Sequence, residues 1–173
     1  HMLKGEVAQG HNSAIVDDDG RAYVIYHTKL NDNTAVHELR VHELFQNKNG
    51  WILASPFAFA NDDAISYTET PGDITGEYEI ILTDHTMGWD ANSGDLGSNY
   101  NGDVSPLADI VTVKLEAGGT ITKDGENYGT WSLDEGTPYV TITVDGQTFT
   151  GVAASQTKDI AGIRTMTFTA VDE

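Results

Sequence analysis

The sequence predicts an all-β protein in which an antiparallel four-stranded sheet is followed by a small antiparallel β-barrel. Three observations predict this class. No segment of the 173 residues has a convincing helical period. Short apolar runs instead alternate with polar residues, as they do in strands that bury one face. Asp-Gly, Asn-Gly and Gly-Gly pairs separate many of these runs, and such pairs favour tight turns.

Four strands are predicted in residues 1–60. The turn Asp17–Gly20 separates the first two, and its Asp-Gly pair is a strong hairpin signal. The second strand, residues 22–27, is apolar on both faces, so both faces must be covered. The third, residues 36–45, alternates cleanly, and a turn at 47–50 leads into the fourth. Four short strands joined by turns are the content of one propeller blade.

Residues 65–173 repeat strand and turn about seven times, which predicts a small antiparallel barrel or sandwich. Closure of such a sheet would remove its exposed edges. Residues 86–105 are rich in Gly, Asn and Asp and predict a long loop. The polar stretch Asn61–Asp63 is the expected junction. We therefore divide the chain into a blade segment at 1–60 and a barrel domain at 65–173.

The composition limits the classes of partner. The formal net charge is −18, from 27 acidic and 9 basic residues, and such a surface repels nucleic acid and anionic lipid. It is compatible with neutral sugars and with divalent cations. The chain has no cysteine, which excludes disulfides and thiolate metal sites. No apolar run approaches the roughly 18 residues that a membrane-spanning helix requires.

Ordered motifs along the whole chain resemble family 43 endo-arabinanases. The first 60 residues resemble the last blade of the propeller of these enzymes, and the rest resembles the C-terminal barrel, often called lipocalin-like, that is attached to it. The motifs of the blade are Gly10–Ala14, Tyr26–Lys29, His37–Glu43 and Asn49–Pro56, and those of the barrel are Gly129–Trp131 and Val144–Val152.

The resemblance implies an inverting hydrolase with a five-bladed propeller that acts on plant cell-wall arabinan. In such enzymes one carboxylate activates water and another protonates the leaving oxygen. The family carries its catalytic carboxylates on earlier blades, so no catalytic residue is assigned in this chain, and the isolated chain is expected to be inactive. The resemblance also implies a secreted bacterial protein. The opening His1-Met2 is similar to a cloning remnant, so a natural leader could have been removed.

His11 is the metal-site residue that the resemblance implies. The family places this histidine near the propeller axis, where it helps to hold calcium or a similar ion through ordered water. Hard cations prefer oxygen ligands, so calcium is expected at His11 in the intact enzyme more than in this chain alone. The alternative role is a polar residue that bonds to backbone.

The sequence supports two other possible metal sites less well. His27, His37 and His42 suggest zinc, but His37 and His42 are five residues apart on a strand and are predicted to face opposite sides. Structural roles are therefore favoured for all three. The acidic loop Asp90–Asp95 differs from an EF-hand because its fifth and sixth positions carry Gly94 and Asp95.

Aromatic side chains are the candidates for sugar contact. Trp89 and Tyr100 lie in the long predicted loop and are the sugar-binding candidates. Trp131, in a Gly-Thr-Trp motif, is expected to plug the barrel. Trp51 is expected to pack against the blade.

Three functions stay open at this point. The first is the C-terminal portion of an arabinan-degrading hydrolase, in which the barrel supports the blade. The second is a carbohydrate-binding module, and the third is a folding or oligomerisation unit without a ligand. Because the strand at 22–27 is apolar on both faces, the blade is expected to pack on its own barrel, pair with a second copy or require a missing N-terminal chain.

Overall fold

The computed structural model describes residues 6–30, 36–59, 74–82, 110–157 and 163–172. Every helix or strand assigned within these ranges is a β-strand, so the predicted all-β class is confirmed. The same residues include no helix that could cross a membrane. The predicted junction Asn61–Asp63 lies outside them, and the division into two domains stays a prediction.

The first sheet has four antiparallel strands in the order β1-β2-β3-β4. Each of the four predicted strands is found, and β1 begins well before its apolar run because the backbone ladder continues through polar residues. The strands are β1 (Glu6–Val16), β2 (Ala22–Leu30), β3 (His37–Gln46) and β4 (Ile52–Ala54).

The second sheet is an antiparallel meander in the order β11-β10-β9-β8-β7-β6-β5. Its strands agree with the seven that the alternation predicts. They are β5 (Gly76–Ile81), β6 (Ile110–Leu115), β7 (Thr120–Lys123), β8 (Glu126–Leu133), β9 (Tyr139–Val144), β10 (Gln147–Thr157) and β11 (Arg164–Asp172).

Two Asp-Gly pairs form the tight hairpins of this sheet. Asp124 and Gly125 have φ angles of 53° and 85°, and Asp145 and Gly146 have φ angles of 52° and 75°. Positive φ at both central residues defines the type I′ turn, whose twist matches that of the flanking strands. These turns therefore fix the registers of β7 with β8 and of β9 with β10.

The second sheet curls around an apolar interior. Alternate residues that the sequence places on one face fill this interior, as predicted for strands with one buried face. Trp131 lies among them, as expected, and its Nε1 donates a hydrogen bond of 2.9 Å to the Glu116 carbonyl oxygen. The buried branched aliphatic members are Ile74, Ile80, Val113, Leu115, Ile121, Val140, Ile142 and Val144.

The curl brings the two edge strands of the second sheet close together. The rings of Tyr78 on β5 and Phe168 on β11 are 5.2 Å apart. Among the described residues no backbone pairing joins β5 to β11, so side chains rather than a ladder close the curl there. Over the described residues the arrangement is a half-barrel.

Strand β10 belongs to two apolar cores. Ala153 points into the interior of the curl, whereas Val152 and Ala154 point outward. The outward pair packs against Phe45 and Leu53 of the first sheet. This contact covers part of one face of the first sheet. Of the three expected ways to cover the blade, packing on the half-barrel of the same chain is therefore the one seen in the structure.

Asn47 connects the two sheets with polar contacts. It is 2% exposed, and its Oδ1 accepts hydrogen bonds from the backbone N–H groups of Asn49 at 3.0 Å and Trp51 at 2.9 Å. Its Nδ2 donates to the Thr150 carbonyl oxygen at 3.2 Å and to Thr150 Oγ1 at 3.1 Å. One side chain thus orders the β3–β4 turn and attaches it to β10.

We predict that Asn47→Ala lowers the free energy of unfolding by about 2 kcal/mol, because it leaves buried polar groups without partners. Urea unfolding followed by circular dichroism measures the change. Asn127→Ala, at an exposed position of β8, is the control and changes stability by less than about 0.5 kcal/mol. Equal effects of the two substitutions would refute the role of Asn47.

A second prediction concerns the close approach of β10 and β11 at Gly151. A Cβ atom there would overlap the Thr169 carbonyl oxygen on the neighbouring strand. Gly151→Ala should therefore cost about 3 kcal/mol in stability, since the overlap involves backbone. Gly118→Ala is the control, because a Cβ atom added at Gly118 would meet no other atom within 4 Å. Thermal unfolding of both variants tests this, and an unchanged Gly151→Ala protein would contradict it.

Candidate functional site

His11 lies in a β-bulge of the first sheet. Gly10 pairs with His27 and Ser13 pairs with Ile25, so two residues of β1 oppose one residue of β2. His11 has a φ of 51°, in the left-handed region that residues with a Cβ rarely adopt. Its side chain is exposed. The bulge re-aims this side chain relative to a regular strand, and the sequence gives no signal for it.

Three imidazoles form a row on the first sheet. The His27 ring centroid is 6.1 Å from that of His11 and 5.0 Å from that of His37, edge to face in both cases. The described residues contain no group of three or more His, Cys, Asp or Glu side chains arranged to hold a metal ion. Calcium prefers several oxygen ligands, so these residues by themselves do not fit a calcium ion at His11.

His42 points to the opposite face, as predicted for its spacing from His37. Its Nδ1 lies 2.7 Å from the Ser55 carbonyl oxygen, and its Nε2 lies 3.1 Å from the Tyr26 hydroxyl. A carbonyl oxygen only accepts, so Nδ1 donates to Ser55, and Nε2 shares a hydrogen bond with the Tyr26 hydroxyl. His42 therefore attaches the segment after β4 to the centre of the sheet, which is a structural role.

Asp17 is the anchor of the β1–β2 hairpin. Its carboxylate accepts hydrogen bonds from the Arg21 backbone N–H at 2.8 Å, from Arg21 Nε at 2.9 Å and from the Tyr23 hydroxyl at 3.1 Å. Burial on its own raises the pKa of Asp17, but these donated bonds outweigh it and hold the pKa below its ordinary value. Burial and the bond to Asp17 raise the pKa of Tyr23.

Glu43 is a buried acid that the sequence reasoning did not single out. It is 1% exposed and pairs across the sheet with Tyr23. The alternation on β3 contained a signal, because Glu43 shares the face of Val41 and Phe45, the face that packs toward β10. A carboxylate so enclosed is not open to a polysaccharide in this chain.

The aromatic candidates have different outcomes. Trp51 is 58% exposed, so the expectation that it packs against the blade is wrong. The reason is its position, because it directly precedes the edge strand β4 and the inter-sheet core takes Leu53 instead. The sugar-binding candidates Trp89 and Tyr100, and the acidic loop Asp90–Asp95, lie outside the described residues.

Comparison with known proteins identifies the family. Residues 56–173 match the family model of the C-terminal lipocalin-like domain of family 43 glycoside hydrolases. The chain belongs to this family. The match begins just after β4, and similarity to individual proteins extends the relationship over the first sheet.

Two curated relatives of this C-terminal domain are arabinanases. One is the extracellular endo-α-(1→5)-L-arabinanase 2 of Bacillus subtilis strain 168, with 32% identity over 169 residues, which is 97% of this chain and 32% of the relative. The other is the extracellular endo-α-(1→5)-L-arabinanase of Thermotoga petrophila, with 29% identity over 143 residues, which is 81% of this chain and 25% of the relative. The chain thus spans a third or less of these relatives.

Solved structures of the family have the same fold over nearly the whole chain. The YxiA protein of Bacillus licheniformis, a family 43 glycoside hydrolase, superposes with a TM-score of 0.71 at 29% identity. An endo-1,5-α-L-arabinanase of Thermotoga petrophila superposes with a TM-score of 0.70 at 26% identity. Each comparison covers 97% of this chain and 34% of the other chain.

The Asp17 hairpin gives a prediction for acid stability. Its pKa is lower in the folded chain than the ordinary 3.8, so the carboxylate stabilises the fold above that value, and this contribution disappears as the pH falls through the folded pKa. Asp17→Asn should be less stable than the parent at neutral pH, and the difference should shrink below about pH 4.

Urea unfolding at a series of pH values measures both parts of this expectation. Asp18→Asn changes an exposed neighbour in the same turn and should keep the pH dependence of the parent. If Asp17→Asn also kept the pH dependence of the parent, Asp17 would not contribute to stability through its carboxylate.

Proposed function

We propose that the chain acts as the C-terminal part of a family 43 endo-α-1,5-L-arabinanase, in which the first sheet completes a propeller and the half-barrel supports it. The observation that carries the proposal is the extent of the similarity. The similarity to the Bacillus subtilis arabinanase spans 97% of this chain. It includes both sheets and therefore extends beyond the domain matched at residues 56–173. A secreted enzyme and a polysaccharide substrate agree with the names of both curated relatives.

The packing of the first sheet supports this role. One end of the sheet is buried against β10, but Leu39 on β3 is 73% exposed and Val16 on β1 is 69% exposed. A propeller blade normally stacks between neighbours. These side chains are the contacts that we assign to further propeller polypeptide.

The described carboxylates support a non-catalytic role for this chain. Inverting hydrolysis requires an acid and a base about 6.5–9.5 Å apart with space for water. Asp17 is held by Arg21, and Glu43 is buried. Glu38 pairs with Arg40 at 2.8 Å on the surface. We therefore assign the catalytic carboxylates to the part of the longer relatives that this chain does not cover.

Calcium at His11 stays a prediction. The exposed imidazole and its bulged backbone are compatible with a contact to an ion through water, but oxygen ligands would have to come from outside the described residues. No catalytic step is assigned to it.

Incubation of the purified chain with linear 1,5-arabinan tests the proposal, with reducing ends as the measurement. We expect no release above a blank without enzyme. A chimera that joins the chain to the remaining two thirds of the Bacillus subtilis arabinanase should cleave arabinan, whereas those two thirds alone should cleave far less or fail to fold. Release by the isolated chain that a substitution of one of its own carboxylates abolishes would overturn the proposal.

A further inference from the structure

Trp51 stands apart from the other aromatic side chains. Among the Trp, Tyr and Phe residues that the structure describes, it is the one with an exposed side chain, and the others are buried or half-buried. Single exposed apolar residues are common, so exposure alone indicates little. The backbone around Trp51 is what adds information.

The β3–β4 turn fixes the backbone of Trp51 through hydrogen bonds. Its backbone N–H donates to Asn47 Oδ1 at 2.9 Å, and its carbonyl oxygen accepts from the Asn47 backbone N–H at 3.0 Å. Asn47 is in turn bonded to Thr150 on β10, and Lys48 Nζ bonds to Asp134 Oδ2 at 3.3 Å. The turn is thus attached to the half-barrel at two points. An aromatic ring on such a support loses little conformational entropy when a ligand stacks on it.

The surroundings of Trp51 favour a sugar as the ligand. The neighbouring positions Gln46, Lys48 and Asn49 are polar and exposed, with Gln46 Nε2 donating to the Gly50 carbonyl oxygen and Lys48 Nζ to Asp134 Oδ2. A sugar ring has an apolar C–H face for the indole and hydroxyl groups for such polar neighbours. The net charge of −18 disfavours polyanions. A protein partner would need on the order of 1,000 Å2 of contact, whereas the exposed large apolar side chains of this turn are Trp51 and Ile52.

We propose that Trp51 is a stacking platform for a neutral polysaccharide chain at the surface of the β3–β4 turn. The platform would hold polymeric substrate near the enzyme. The inference rests on the proposed function only for the identity of the sugar, which is then arabinan. It differs from the loop candidates Trp89 and Tyr100 because a hydrogen-bonded turn supports Trp51, whereas those two lie outside the described residues.

Affinity electrophoresis of the purified chain tests the platform. Native gels containing linear arabinan, linear galactan or no polysaccharide are compared. We expect retardation in arabinan, at least about tenfold weaker binding for Trp51→Ala, and substantial retention for Trp51→Phe, since an aromatic anchor dominates such a contact. Ile163→Ala removes an exposed apolar side chain elsewhere on the described surface, is the control and should bind as the parent does. Trp89→Ala is compared with it as the loop candidate. Circular dichroism verifies that each variant is folded.

Each outcome decides a separate claim. Equal retardation of the parent and Trp51→Ala, or no retardation in either polysaccharide, overturns the platform. Loss of binding in Trp89→Ala with Trp51→Ala unaffected also overturns it. Retardation in galactan alone that requires Trp51 supports the platform and overturns arabinan as its sugar. Cleavage of arabinan by the chimera does not require binding at Trp51. A negative result in affinity electrophoresis therefore does not contradict the proposed function.

Discussion

The contact between the outward face of β10 and the first sheet is the interaction on which the rest of the structure depends. A four-stranded sheet with apolar side chains on both faces has no core of its own. Val152 and Ala154 provide one by packing against Phe45 and Leu53. Because the same strand lines the interior of the half-barrel through Ala153, one strand couples the two cores. A substitution that disturbs β10 therefore affects the packing of both sheets.

Three described polar groups of this chain have structural roles. Asp17 closes a hairpin, His42 attaches a segment to its sheet, and Asn47 attaches a turn to the other sheet. Each group has its hydrogen-bonding capacity committed to backbone or to a fixed partner, which makes it a poor acid, base or ligand. This commitment is consistent with a domain that supports an active site built from other parts of a longer enzyme.

We propose different tasks for different surfaces of this chain. The open face of the first sheet is the one proposed to contact further polypeptide. The β3–β4 turn presents the Trp51 ring to solvent, and the His11 bulge presents an imidazole. A chain that spans about a third of its relatives thus has at least three surfaces whose roles depend on what surrounds them.

The sequence by itself determined the strands, the Asp-Gly turns and the interior face of the half-barrel, because alternation and turn residues act within a few positions along the chain. Features that depend on contacts between residues far apart in the sequence were decided only by the tertiary structure. The Asn47–Thr150 contact joins residues 103 positions apart, and the bulge at His11 brings its ring toward His27. The exposure of Trp51 follows from its position ahead of the edge strand β4. The burial of Glu43 follows from which face meets β10, and no local pattern fixes the choice between two apolar faces.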